Sequence, residues 1–281
     1  MAMNIDEFSA TIAAASFGAG FLGSLTGLGG GVVIVPLLTL GFGVDMRYAI
    51  GASLVSVIAT SSGAAAAYVR EGYTNIRIGM FLEIATTFGA LVGAVLATWL
   101  PTKVIGIVFG LVLLHSAYLS AKKKDERHAL NQPPDRFAGL LRLDGSYPGP
   151  DGPRTYRVRN VPAGFGLMGL AGILSGLLGI GSGAVKVIAM DHAMQVPFKV
   201  STTTSNFMIG VTAAASAGIY LSRGYVAPGL AMPVMLGVLA GSLTGAKVLT
   251  TARTRTLRLA FGAVVAVLGV EMIYNSAMGR L

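Results

Sequence analysis

Apolar residues run through this chain in long unbroken blocks, without the three- and four-residue spacing of a half-buried surface helix. Uncharged stretches cover 48–69, 104–121, 200–222 and 224–246, each close to the ~20 residues that carry a helix across the hydrocarbon core of a bilayer. The pattern predicts several crossings, hence an all-α polytopic protein in contact with lipid. A polar interval, 122–161, separates two such regions and holds Lys122, Lys123, Lys124, Arg127, Arg136, Arg142, Arg154, Arg157 and Arg159 with turn clusters at 132–135 and 147–153. It reads as an extramembrane linker between a first unit, 1–121, and a second, 162–281. Short alternating pieces at 141–143 and 156–159 predict a small hairpin across its turn.

The two apolar units are copies of one another. A shift of 152 positions sets Gly20, Gly27, Gly29, Gly31 and Gly72 on Gly172, Gly179, Gly181, Gly183 and Gly224, and Ser53, Tyr68, Tyr73 and Phe109 on Ser205, Tyr220, Tyr225 and Phe261. Each copy reads as five helical pieces, in the first at about 8–27, 31–43, 47–69, 76–99 and 102–121. The second piece is too short to span untilted.

Charge then sets orientation. The net charge of +9 lies mostly in connections between apolar spans, so membrane topology accounts for it and no nucleic-acid partner is indicated. With the linker in the cytoplasm, counting back through the helices places Arg70 and Arg77 inside and Arg47 and Lys103 outside. Counting forward places Lys199, Arg253, Arg255 and Arg258 inside if the second copy is inverted relative to the first. Two inverted repeats are therefore predicted, with both termini outside. The first two pieces of each copy then enter and leave on one side, as a crossing pair or a re-entrant hairpin. Asp45 and Arg47 read as a solvated loop, and Asp6 and Glu7 before the first apolar run lack the basic start of a signal peptide, so that run is expected to stay.

Hydrophobic residues make up 53% of the chain and charged residues 12%, about half the charged share of a soluble domain. There is no cysteine, and His115, His128 and His192 lack metal-ligand spacing. No metal, no cofactor and no enzymatic nucleophile–base pair is expected. An oligomer is compatible with the sequence.

Each copy carries a glycine-rich break between its first two pieces: Gly27-Leu28-Gly29-Gly30-Gly31 and Gly179-Ile180-Gly181-Ser182-Gly183. Each glycine costs a helix interior ~1 kcal/mol relative to alanine, so the chain unwinds there. Unwound backbone cannot face lipid and has to be buried in protein or line a cavity. Half-helices restarting beyond the breaks would point N–H groups at that cavity, an arrangement suited to an anion near the membrane midplane. Gly89 with Gly93 and Gly241 with Gly245 read instead as close-packing contacts between helices.

Candidate site residues follow from the breaks. Gly29, Gly30 and Gly31, and Gly181, Ser182 and Gly183, would present backbone to an anion. Lys186, within an apolar run, supplies charge there, or alternatively snorkels or pairs with Asp191. Ser53, Thr204, Ser205 and Asn206 offer hydroxyl and amide donors, or alternatively bond between helices. Glu83, Asp191 and His192 are candidate coupling residues, Glu83 being alternatively a group near the cytoplasmic end of its helix.

The paired breaks, Pro36 after the first, and the run from Gly43 and Val44 through Arg47 and Gly51 to Ser53 resemble the sulfite exporter TauE/SafE family of membrane permeases. The resemblance covers 12–121 and 162–275 and leaves out the linker. It implies transport of small sulfur-containing anions, such as sulfite or organosulfur compounds, across the cytoplasmic membrane. In the second copy Ser182 replaces the middle glycine and Ile188 stands at the place of Pro36, which predicts a differently shaped half-helix. With no Walker motif, a gradient-driven secondary permease working by alternating access is expected. The alternatives are a passive anion channel, or an accessory membrane subunit that docks a partner through the basic linker.

Overall fold

The computed structural model describes residues 5–24, 30–70, 72–121, 135–149, 152–181, 183–249 and 254–280. The first copy contains α1 (Ile5–Ser24), α2 (Gly31–Pro36) continued by a π-turn (Leu37–Gly41), α3 (Met46–Arg70), α4 (Ile76–Trp99) and α5 (Thr102–Ala121). The linker contributes α6 (Arg136–Leu140) and the strands β1 (Gly145–Gly149) and β2 (Gly152–Tyr156). The second copy repeats the order with α7 (Val161–Leu178), α8 (Gly183–Ile188) and its π-turn (Ala189–Ala193), α9 (Phe198–Ser222), α10 (Pro228–Leu249) and α11 (Thr254–Ala277).

Three of these helical stretches, Ile76–Trp99, Val161–Leu178 and Pro228–Gly245, are long and apolar enough to cross a membrane. Their burial runs opposite to that of a soluble protein. Phe88 and Trp99 on α4 are 73% and 77% exposed, whereas Ser53, Thr86, Lys186 and Thr212 are fully buried. Large apolar side chains are exposed on the outside while an apolar core also shelters polar groups, as expected where lipid is the solvent.

Helix packing exchanges partners between the copies. α1 packs on α10 and α7 packs on α4; α3 packs on α10 and α9 on α4; α3 crosses α9, and α5 lies on α11. The α4–α7 seam is backbone on backbone. A Cβ at Gly89 would collide with the carbonyl oxygen of Gly169, one at Gly93 with that of Ile173, and one at Gly176 with that of Ala90. The α1–α10 seam is built the same way, with Gly237 against Ala13 and Gly241 against Phe17. Small residues let these helices touch without a desolvation cost. In both seams residue numbers rise together, so the paired helices run parallel. The repeat-related pairs run antiparallel: Gly110 lies against Gly269 and Ile273 while Gly269 lies against Leu113 and Leu114, and Gly210 lies against Ser61 while Gly51 lies against Tyr225.

Both half-helices end alike, although Pro36 has no counterpart in the second. Six α-helical residues pass into a five-residue π-turn in each. The Val44 N–H then donates to the Leu38 carbonyl at 3.0 Å, and the equivalent Val196 N–H to Met190 at 2.9 Å. A left-handed residue closes each turn, Gly43 with φ 64° and Gln195 with φ 56°. The expected difference in shape is therefore absent, because the closing hydrogen bond and the left-handed residue fix the π-turn without proline.

The linker departs from expectation in its register. The strands pair Gly145 with Tyr156 and Gly149 with Gly152, nearer the turn than the pieces 141–143 and 156–159. The reason is what flanks them. Leu143 and Val158 are buried against Ile78, Met194 and Val196 instead of pairing, and the Val158 N–H donates to Asp144 Oδ1 at 2.8 Å. Arg47 also departs from the solvated loop expected for it. Its guanidinium donates to the carbonyls of Ala97 at 3.2 Å and Leu100 at 3.0 Å, capping the C-terminus of α4, while Asp45 stays exposed.

Candidate functional site

Gly31, at the described end of the first break, meets Gly179 of the second. At the end of α7, Gly179 and Gly181 each adopt φ 68°, a left-handed conformation that a side chain would strain. The turn leaves the Gly179 carbonyl free of its own helix, and Ser53 of α3, from the other copy, donates to it at 2.8 Å. Beside it a Cβ at Gly31 would fall 3.1 Å from the same carbonyl oxygen and 2.9 Å from Ser53 Oγ. Gly181 packs between Val57 of α3 and Ile209 of α9, and Ser205 donates to the Gly183 carbonyl at 3.2 Å. Gly30, buried, caps α2 and accepts from the N–H groups of Val33 and Ile34. Gly29 and Ser182 lie outside the described residues.

Ser53 and Ser205 are thus spent on bracing the breaks. Ser53 satisfies a carbonyl that the unwound backbone would otherwise leave bare, a loss of ~1–3 kcal/mol in a buried setting, and Ser205 adds a second bond at the first carbonyl of α8.

Next to the breaks lies a closed charged cluster built from both copies. Lys186, on α8, is 0% exposed, so snorkelling is ruled out, and its Nζ donates to Thr212 Oγ1 of α9 at 2.5 Å. Thr212 donates in turn to Glu83 Oε1 of α4 at 2.6 Å, and Thr87 reaches the same oxygen at 3.1 Å. Glu83 is 8% exposed, inside the protein and not at a surface end of its helix, and its Oε2 is buried without a hydrogen-bond partner among the described residues. The Thr212 hydroxyl has a second acceptor in reach, the Met208 carbonyl at 3.0 Å.

A lone ammonium or carboxylate in this interior would cost several kcal/mol; together, bridged by one hydroxyl, they form a neutral unit. Helix exchange makes the pairing: α4 of the first copy lies against α9 of the second, which also carries α8. Thr212 was within reach of the sequence, because the shift of 152 sets it on Thr60.

The remaining candidates lie elsewhere. Thr204 accepts from the Asn75 N–H at 3.0 Å, tying α9 to the loop before α4, where the Asn75 side chain caps α4 and also donates to Leu143 O and the Tyr156 hydroxyl. Asn206 is half-buried on α9; Asp191 is half-buried and His192 exposed on the second π-turn. None of these three belongs to the Lys186–Thr212–Glu83 cluster. A separate cleft of about 260 Å³ opens beneath the hairpin, lined by Tyr73, Thr74, Asn75, Arg77, Asp144 and Tyr156. Burial pushes the Tyr156 phenol there up to about 12, against the Asn75 hydrogen bond and with help from Asp144.

At either end of the α3–α9 crossing a cation stacks on an aromatic ring of the other copy. Arg47 lies 5.6 Å from the centre of the Tyr225 ring, and Lys199 lies 6.0 Å from that of Tyr73. All four residues obey the repeat, Arg47 matching Lys199 and Tyr73 matching Tyr225.

Residues 12–272 match the sequence profile of a family described as Sulfite exporter TauE/SafE. Similar curated proteins include the probable membrane transporter protein YunE of Bacillus subtilis, 28% identical over 92% of this chain and 94% of that one. A second B. subtilis protein, the probable membrane transporter protein YdhB, is 27% identical over 81% of this chain and 85% of its own length. A probable membrane transporter protein of Methanocaldococcus jannaschii is 25% identical over 90% and 91% of the two chains. No solved structure matches.

Proposed function

Because the chain belongs to the sulfite exporter TauE/SafE family and is a membrane transporter, not an enzyme, we propose that it is a secondary permease for small anions, sulfite or a related sulfur compound, working by alternating access. The observation that carries this reading is the fully buried Lys186 beside the junction of the two glycine breaks. An anion-attracting group between the repeats suits such a carrier, and Lys186, which reaches Glu83 of the other copy through Thr212, supports that reading. Closure of Lys186 and Thr212, both 0% exposed, favours an occluded carrier over a standing pore. The linker packs its Leu143, Tyr156 and Val158 on the transporter's own helices, which speaks against an accessory subunit whose linker waits for a partner.

We read the repeats as inverted. Support comes from direction: α5 against α11 and α3 against α9 are repeat-related pairs, and each runs antiparallel, as copies related by an axis lying in the membrane plane must. On this reading the linker is cytoplasmic, both termini are outside, and the protein sits in the cytoplasmic membrane.

Flux of labelled sulfite and thiosulfate into proteoliposomes tests the function. Lys186→Gln is expected to lower it more than about tenfold, since a charge-assisted hydrogen bond contributes ~1.5–3 kcal/mol. Flux equal to the parent's removes the site. The chain has no cysteine, so a single Ser146→Cys in the linker tests the topology, and labelling from the outer face of intact cells overturns it.

A further inference from the structure

Glu83 reaches Lys186 through a hydroxyl, from the other copy, in the space where an anion drawn to that ammonium would have to bind. We propose that Glu83 is a built-in competitor for the transported anion, so that one proton enters with each monovalent anion and the loaded carrier crosses without net charge. The proposal rests on the permease reading above.

The argument is one of charge and hydrogen bonds. In the empty state, Lys186 ammonium and Glu83 carboxylate sum to zero. Binding an anion alone leaves the cluster at −1, and binding a proton alone leaves it at +1. Either is an uncompensated charge in a closed interior, a state that costs several kcal/mol and is seldom populated. Binding both restores zero: protonated Glu83, with the anion on Lys186. Two charge-neutral states alternate, and the half-loaded states between them are suppressed. A dianion with a single proton leaves the cluster at −1, so the site selects monovalent oxyanions such as hydrogensulfite or an alkanesulfonate.

The side chains are placed for the exchange. The proton comes from water on whichever side the carrier opens and adds to Oε2, the carboxylate oxygen that lacks a partner. Oε1 then no longer needs the Thr212 hydroxyl, which can turn its hydrogen to the Met208 carbonyl 3.0 Å away while its lone pairs still face Lys186. On the far side the anion leaves, the proton leaves Oε2, and the Glu83–Thr212–Lys186 chain closes again. Among the described residues no other charge intrudes from the packed elements. α7 has no ionisable residue, and α9 has Lys199 near its start and Tyr220 near its end. Arg77, on α4 itself, is exposed, and Asp191 and His192 lie on the π-turn beyond α8.

Proteoliposomes with parent protein test this, using sulfite, methanesulfonate, which does not titrate near neutrality, and thiosulfate as the dianion. An entrapped pH dye reads protons, and potassium with valinomycin sets the voltage. Methanesulfonate or sulfite uptake should acidify the lumen and ignore an imposed voltage. A one-unit pH gradient should support about tenfold accumulation, the free energy of one proton per anion. Glu83→Gln should still exchange monoanion for monoanion regardless of voltage, while its net uptake, which must return an empty carrier at +1, should bring no lumenal acidification, ignore the pH gradient and respond to voltage. If Glu83→Gln fails to fold, the parent's voltage response and proton count decide alone. Anion flux without proton entry, flux driven by voltage in the parent, or thiosulfate carried in preference to both monoanions overturns the coupling and leaves the permease standing. No flux of any of the three overturns the permease reading and the coupling with it.

Discussion

The two half-helices are alike in backbone and opposite in chemistry. Beyond the second break, Lys186, Thr212 and Glu83 form a closed polar chain. The residues at the same places around the first are Ile34, Thr60 and Met235. Ile34 is fully buried among apolar neighbours, and Thr60 turns its hydroxyl to the carbonyls of Ser56 and Val57 on its own helix. The repeat built a symmetric frame and charge was placed in only one half. On the proposed permease reading, the symmetric frame would serve the motion of the two copies, and the asymmetric charge would give an anion one place to bind.

Converting the charged half into a copy of the apolar half should have the largest effect. Lys186→Met alone strands Glu83 and should cost ~3–5 kcal/mol, read as a large fall in the thermal midpoint in detergent. Lys186→Met with Glu83→Gln should regain most of that stability while transport stays abolished. A double variant no more stable than the single one would mean that the two groups do not compensate each other.

A methyl group at the two half-helix starts sharpens the comparison. Gly31→Ala meets the Gly179 carbonyl and Ser53 Oγ of the packed junction, whereas Gly183→Ala meets the flexible end of Ile209. Overpacking costs ~1–3 kcal/mol, and the first variant should lie at the upper end and the second at the lower, in thermal unfolding. Next come the two cation–ring contacts. Arg47→Ala loses two hydrogen bonds to the end of α4 as well as the Tyr225 ring, so ~1–3 kcal/mol is expected; Lys199→Ala, exposed, should lose ~0.5–1 kcal/mol at most. Equal losses would show that the α4 cap contributes nothing.

The smallest effect concerns the linker. Because the Tyr156 phenol is raised from 10.0 to about 12 by burial, the folded hairpin favours the neutral form. Its contribution is complete below pH 10 and is lost as pH rises towards 12. Protection of β1 and β2 amides, taken relative to their base-catalysed intrinsic exchange, should fall over that window in the parent and stay level in Tyr156→Phe.

The glycine breaks, the linker and the repeat itself could be read from residue order, since each is a local pattern or a self-comparison. Lys186 and Glu83 could be singled out as charges inside apolar helices, yet nothing along the chain joined them. Their meeting depends on α4 lying on the helices of the second copy, an exchange of partners that linear spacing does not encode. The same exchange hid the role of Ser53, whose acceptor is the Gly179 carbonyl of the other copy. Arg47 looked like a loop residue because its acceptors at Ala97 and Leu100 belong to a helix end about fifty positions later. The hairpin register differs from the sequence expectation because burial of Leu143 and Val158 with Ile78, Met194 and Val196 competes with pairing and outweighs it.

The crossed packing of α1 on α10 and α4 on α7 bears on how the protein is made. When the ribosome has finished α5, α1 and α4 lack their main neighbours, because α10 for the one and α7 and α9 for the other are not yet synthesised. The first copy must wait in the membrane with its glycine seams open, and only α7 and then α10 close them. Neither copy is a folding unit by itself. Two separately expressed halves, divided in the linker, should each be degraded when alone and survive together, as strands of a rope hold only when wound.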